Sequence, residues 1–150
     1  ALPDFDNMIS TVITLPPNGD IIPFGENFTV SIISSNIDYG FFDDPQTEYY
    51  TSPQTLNGDG VIEGHNHITI EKINNPFVPL DARAPTFFKG LNEPSPTGEL
   101  SVEVDGSLFL EDGPGDYRIC TITSSRSHAP VLMPVARRGA QDDYIRVIII

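Results

Sequence analysis

Tryptophan is absent from this chain of 150 residues, and cysteine occurs once, at Cys120. A lone cysteine excludes an intrachain disulfide, so cysteine usage says nothing in favour of an oxidising compartment. Cations are scarce too: eight Lys and Arg stand against 21 Asp and Glu, a formal net charge of −13. A surface of that sign repels phosphate backbones, so no nucleic acid is expected as a partner. No apolar run approaches the roughly eighteen residues of a transmembrane helix, and no membrane span is expected. A sustained i, i+3, i+4, i+7 pattern is missing, which argues against a helical fold. Internal repeats and low-complexity tracts are also lacking. The length suits one hydrophobic core, so residues 1–150 are read as a single domain.

What is present is a β pattern. Fourteen prolines and twelve glycines are scattered along the chain between runs rich in Ile, Val and Phe, the composition of short strands and many turns. The alternation and the breakers predict strands at Met8 to Leu15, Asn27 to Ser34, Tyr39 to Phe42, His65 to Ile73, Thr86 to Lys89, Glu99 to Asp105, Asp116 to Thr123, Val131 to Ala136 and Tyr144 to Ile150. In ELSVEVD, Leu100, Val102 and Val104 face one way and Ser101, Glu103 and Asp105 the other. The irregular stretch Asn74 to Pro85 reads as a loop crossing between two sheets. The fold class expected is all-β, a sandwich of about seven to nine strands.

The segment GHNHITIEKI carries two of the three histidines. On a strand His65 and His67 project from one face, with Thr69 and Glu71 further along it, while Ile68 and Ile70 face the core. Two neutral imidazoles at that spacing suit one Zn or Cu ion, provided that a third ligand joins them. His128, in SRSHAP, is the remaining histidine, and Glu71 offers a carboxylate. The competing reading is a strand end whose rings bond to loop carbonyls. HNHITIE also fits the His-x-His-x-x-x-Glu core of the cupin metal motif, so a cupin-like jelly roll is the alternative fold, with a metal-dependent enzyme as the alternative function. Convergence of Glu71 and His128 on His65 and His67 discriminates between these readings.

Hydrolytic signatures are weak. Gly-x-Ser-x-Gly is missing, and Cys120 alternates with Ile119 and Thr121 as a small core residue would. No catalytic residue is assigned, and the chain reads as a binding or structural protein rather than an enzyme. The aromatics of YGFFDDPQTEYY supply another candidate surface: Tyr39, Phe42, Tyr49 and Tyr50 suit stacking on a cell-wall polysaccharide or contact with a protein partner. The start ALPDFDN, without an initiator Met, reads as a mature protein after removal of a leader. Asn27-Phe28-Thr29 is a sequon for an N-glycan at Asn27, which fits a secreted, extracellular protein.

In LEDGPGDYRICTIT an apolar residue precedes a Pro-Gly turn, and a tyrosine follows at the start of an alternating strand. This resembles the tyrosine corner of immunoglobulin-like and fibronectin type III sandwiches, which would give Tyr117 a structural hydrogen bond back along the chain. With one cysteine and no tryptophan, the likeness is to the fibronectin-like branch. Together GHNHITIEKI, PLDARAPTFFKGLN, GPGDYRICTIT and HAPVLMPVARRGAQDDYIRVI resemble a group of uncharacterised small secreted proteins of filamentous fungi. That resemblance implies secretion and a β-sandwich, and it carries no reaction or catalytic residue with it.

Overall fold

Strand alternation in the sequence becomes sheet geometry in a computed structural model that describes residues 1–150. Nine strands form: β1 Ser10–Leu15, β2 Ile21–Ile22, β3 Phe28–Ser35, β4 Ile37–Tyr39, β5 Ile62–Ile73, β6 Phe87–Leu91, β7 Glu99–Val104, β8 Gly115–Ser125 and β9 Tyr144–Ile149. One sheet has the order β1-β3-β7; the other runs β2-β9-β8-β5-β4, with β6 also paired to β5. The fold is an all-β sandwich. Its core lies between the sheets. Val30, Ile32, Leu100, Val102 and Val104 come from the smaller sheet, and Ile68, Ile70, Tyr117, Ile119, Ile145 and Val147 from the larger one. Each such side chain contributes about 1.5–3 kcal/mol by leaving water.

Two expectations change. Val131 to Ala136 forms no strand; Pro130 makes only an isolated bridge to Ser124, and Pro134 lacks the N–H that a ladder requires. The stretch Asn74 to Pro85 does not cross between sheets. It links β5 to β6, which pair antiparallel within the larger sheet with Ile70 opposite Phe87.

One edge of β5 is shared. Parallel β4 covers it at Ile62, Glu63 and Gly64, and antiparallel β6 covers it from Asn66 to Ile70, so the partner changes at His65. The opposite edge pairs with β8 throughout, from Gly64 with Ser125 to Ile73 with Asp116. Gly64 is demanded here: a Cβ at that position would stand 2.1 Å from the Ser124 carbonyl oxygen.

Between the sheets a polar chain replaces apolar packing at one end. Ser34 Oγ lies 2.7 Å from both Thr11 Oγ1 and the Tyr39 hydroxyl, and Asn66 Nδ2 donates to Tyr39 and to Thr123 Oγ1. Asp142 closes the chain by accepting from Thr123 Oγ1 at 2.6 Å. Each of these side chains thereby has a partner, without which a buried polar group would cost about 1–3 kcal/mol.

Candidate metal centre

Along β5 the even-numbered residues Ile68 and Ile70 face the smaller sheet, so His65, His67, Thr69 and Glu71 face outward. His65 is nevertheless fully buried, and His67 nearly so. The covering comes from residues 41–52 and from the turn after β8. Asp43 N donates to the Arg126 carbonyl at 2.8 Å, Tyr50 N to that of Ser127 at 3.1 Å, and Ser127 Oγ to Ser52 O at 2.7 Å. The Arg126 guanidinium pairs with Asp43 at 3.3 Å and lies over the Phe41 ring.

The β5–β8 register places Ser124 opposite His65, so the turn that follows carries His128 back over the pair. His128 holds φ 72°, a left-handed conformation uncommon outside glycine. Its ring meets that of His65 edge to face, with centroids 4.6 Å apart; His65 and His67 are 4.7 Å apart and His67 and His128 5.7 Å. One ring nitrogen of each lies within 4.8 Å of the other two. A tetrahedral ion with bonds of about 2.0 Å brings its nitrogens roughly 3.3 Å apart, so the three nitrogens would have to draw closer around an ion.

Tautomers follow from the partners. His65 Nδ1 is 3.0 Å from the Phe41 carbonyl and His67 Nδ1 is 3.4 Å from that of Ile122. A carbonyl only accepts, so both Nδ1 atoms carry the proton and both Nε2 lone pairs are free. His65 Nε2 and His128 Nδ1 are buried without any hydrogen-bond partner. Burial, followed by the neighbouring His67 and His128, pushes the His65 pKa down to about 3. Burial also lowers those of His67 and His128. At neutral pH the cluster is three uncharged imidazoles, the protonation state in which histidine ligates a metal.

Glu71 does not join them. Six residues along a strand is about 20 Å, and its carboxylate instead pairs with Arg118, opposite it on β8, at 2.9 Å. The cupin alternative, which needs that carboxylate at the histidines, loses its fourth ligand. Cys120 is no core residue either: it is half-buried, opposite Thr69 on the same outward face, and burial raises its pKa.

The aromatics divide. Tyr39 does not present a stacking surface, because it is buried at 2% exposure within the polar chain between the sheets. Phe42 packs edge-on against both His65 and His128, at 5.2 and 4.9 Å. Tyr49 and Tyr50 are more than half exposed and lie against each other at 4.1 Å. Sequence reading missed Phe88, which stacks on His67 at 5.1 Å and 22°. Its alternation within β6 was legible, but the pairing of β6 with β5 was not.

Away from the cluster, Tyr117 is fully buried and its hydroxyl donates to the Gly113 carbonyl, four residues back. Burial, aided by Asp112, raises its pKa to about 12. Asn27 is exposed just before β3, with its Oδ1 accepting from Gly106 N at 2.9 Å.

"Pathogenicity cluster 5 protein d" of the fungus Colletotrichum graminicola (strain M1.001 / M2 / FGSC 10212) is 42% identical over 146 residues, covering 95% of this chain. The chain spans 30% of that relative's length. A beta-glucosidase from Listeria innocua, solved in complex with glucose, superposes with a TM-score of 0.44 at 9% identity, over 95% of this chain and 16% of that one. A likeness that loose carries no argument about fold or activity. A family model described as the CLU5d N-terminal domain matches residues 11–150, a range that takes in all three histidines and every strand of the larger sheet. The chain belongs to the CLU5d N-terminal domain family.

Proposed function

We propose that this domain is a secreted binding module that holds one transition-metal ion, Zn or Cu, through His65, His67 and His128. The supporting observation is the pair of buried nitrogens without partners, His65 Nε2 and His128 Nδ1, directed into one three-histidine cluster. Leaving each unsatisfied costs about 1–3 kcal/mol, and an ion removes both penalties at once. The Phe41 and Ile122 carbonyls supply the outer contacts that fix ligand tautomers around metals. Three imidazoles leave a fourth position open.

A binding role is the preferred reading, and the groove beside the histidines carries no carboxylate in its lining that would serve as a general base. The nearby Asp43 is tied to Arg126. The name of the fungal relative extends the proposal to a part in pathogenicity for the longer protein. Secretion with an N-glycan at Asn27 belongs to the same reading, since that side chain is exposed at a strand entrance. The strand order supports reading the sandwich as immunoglobulin-type, with β1, β3 and β7 corresponding to A, B and E, and β9, β8 and β5 to G, F and C.

Elemental analysis of the protein as purified, and calorimetric titration of Zn or Cu into EDTA-treated protein, test the proposal. One Zn or Cu per chain is expected, with a rise in thermal midpoint that His65→Ala, His67→Ala and His128→Ala each abolish. No bound ion and no thermal shift with either metal would overturn it.

A further inference from the structure

The three-histidine cluster has one wall that opens onto a groove. Of the three imidazoles, His67 and His128 line a depression of about 440 Å³, whereas His65 is fully buried behind them. That volume lies within the range of small-molecule sites, about 300–1,000 Å³. An ion held by the three rings therefore has its free side towards the groove, because His65 and the paired strands β5 and β8 lie behind it.

The rest of the lining is aromatic and apolar. Phe42, Tyr49, Phe88 and Ile122 form the walls, and Asn92, Ser124 and the Tyr49 hydroxyl are the polar groups besides the imidazoles. Phe88 is 56% exposed while stacked on His67, so part of its ring is open to a ligand in the groove. The polar groups are few partners for the several hydroxyls of a sugar ring, each of which costs free energy where it is desolvated and unpaired. A flat aromatic ring matches walls of this kind, since offset or edge-on ring pairs add about 0.5–1.5 kcal/mol each beyond burial. The charge balance decides what the ring carries. Three neutral imidazoles leave the full double charge on the ion, so the ligand atom favoured in the open position is an anionic oxygen.

We infer that the groove takes a small planar phenol, its ring among Phe42, Tyr49 and Phe88 and its oxygen on the ion held by His65, His67 and His128. This inference rests on the metal-binding reading above. It adds the ligand class that such a site accepts.

The test uses the protein loaded with Co(II), whose visible bands report coordination, and 4-nitrophenol as the probe. Titration at pH 8 should shift the cobalt bands and saturate at one phenol per ion. EDTA-treated protein should bind the probe at least about tenfold more weakly, and Phe88→Ala should weaken binding by about fivefold per bound ion. Cyclohexanol and chitin oligomers should leave the spectrum unmoved. One bound cobalt with bands insensitive to 4-nitrophenol would overturn the inference while leaving the metal site standing. An equal response to cyclohexanol, or saturable binding of chitin oligomers in the groove, would overturn the phenol class. Failure to bind cobalt, zinc or copper at all would remove the metal reading and this inference with it.

Discussion

His65 and His128 meet edge to face at 4.6 Å, one fixed in the middle of β5 and the other held in a left-handed turn beyond β8. The two residues are buried differently, and their substitutions should behave differently in metal-free protein. His65→Ala empties a fully buried site and should cost about 2 kcal/mol in urea unfolding. His128→Gly removes a half-buried ring and accepts φ 72° without strain, so its change should stay within about 1 kcal/mol and can be stabilising. Equal losses for the two variants would contradict this account of the cluster.

Protonation should unfold the metal-free protein from the acid side. The His65 pKa, held near 3 by burial, lies below the unfolded value near 6.5, so between those limits the unfolded chain binds more protons. Stability present above pH 6.5 is therefore lost progressively as the pH falls towards 3. The shifts of His67 and His128 are in the same direction. Thermal midpoints of EDTA-treated protein across this range check the point, and His65→Asn should flatten the upper part of the curve, before carboxylates titrate.

Glu71→Gln should leave metal content at one ion per chain, because the carboxylate faces Arg118 rather than the histidines. The Arg118 side chain is 38% exposed, so solvent screens the pair and its loss should cost only about 1 kcal/mol. Elemental analysis and urea titration separate the two effects. A fall in bound metal would return Glu71 to the ligand set.

Tyr117→Phe keeps the buried ring and deletes the bond to the Gly113 carbonyl, for an expected loss of about 1 kcal/mol in unfolding free energy. With its pKa raised to about 12, the phenol stays protonated across the working pH range, so this loss should be the same at pH 6 and pH 9. Metal affinity should not move.

Much of the sandwich was legible because alternation is a local signal. Leu100, Val102 and Val104 are buried as ELSVEVD implies, and the outward placement of His65 and His67 follows from Ile68 and Ile70. Pairing is not local. Nothing in PTFFKG announces that β6 lies on the edge of β5, so Phe88 at the histidines and the path of residues 74–85 were both hidden. Short strands escape for another reason: Ile21–Ile22 is too brief to show a period, and it exists because β9 offers a parallel edge. The burial of His65 was unreadable as well. It depends on residues 41–52 being hydrogen-bonded to the turn that carries His128, a contact between segments far apart in the chain.

At His65 the edge of β5 changes hands between β4 and β6, and the chain leaves both of those strands there, into Phe42 on one side and Asn92 on the other. Neither departing loop contributes a core strand, so exposed groove-facing side chains such as Asn92 can be exchanged at little cost to the sandwich, unlike Gly40 and Gly98, which hold positive φ against Pro94 and Ser34. Relatives with the same nine strands and the same histidines can therefore differ in what enters the groove. Exchanging groove-facing side chains within residues 40–53 and 92–98 is expected to change what enters the groove without moving His65, His67 or His128.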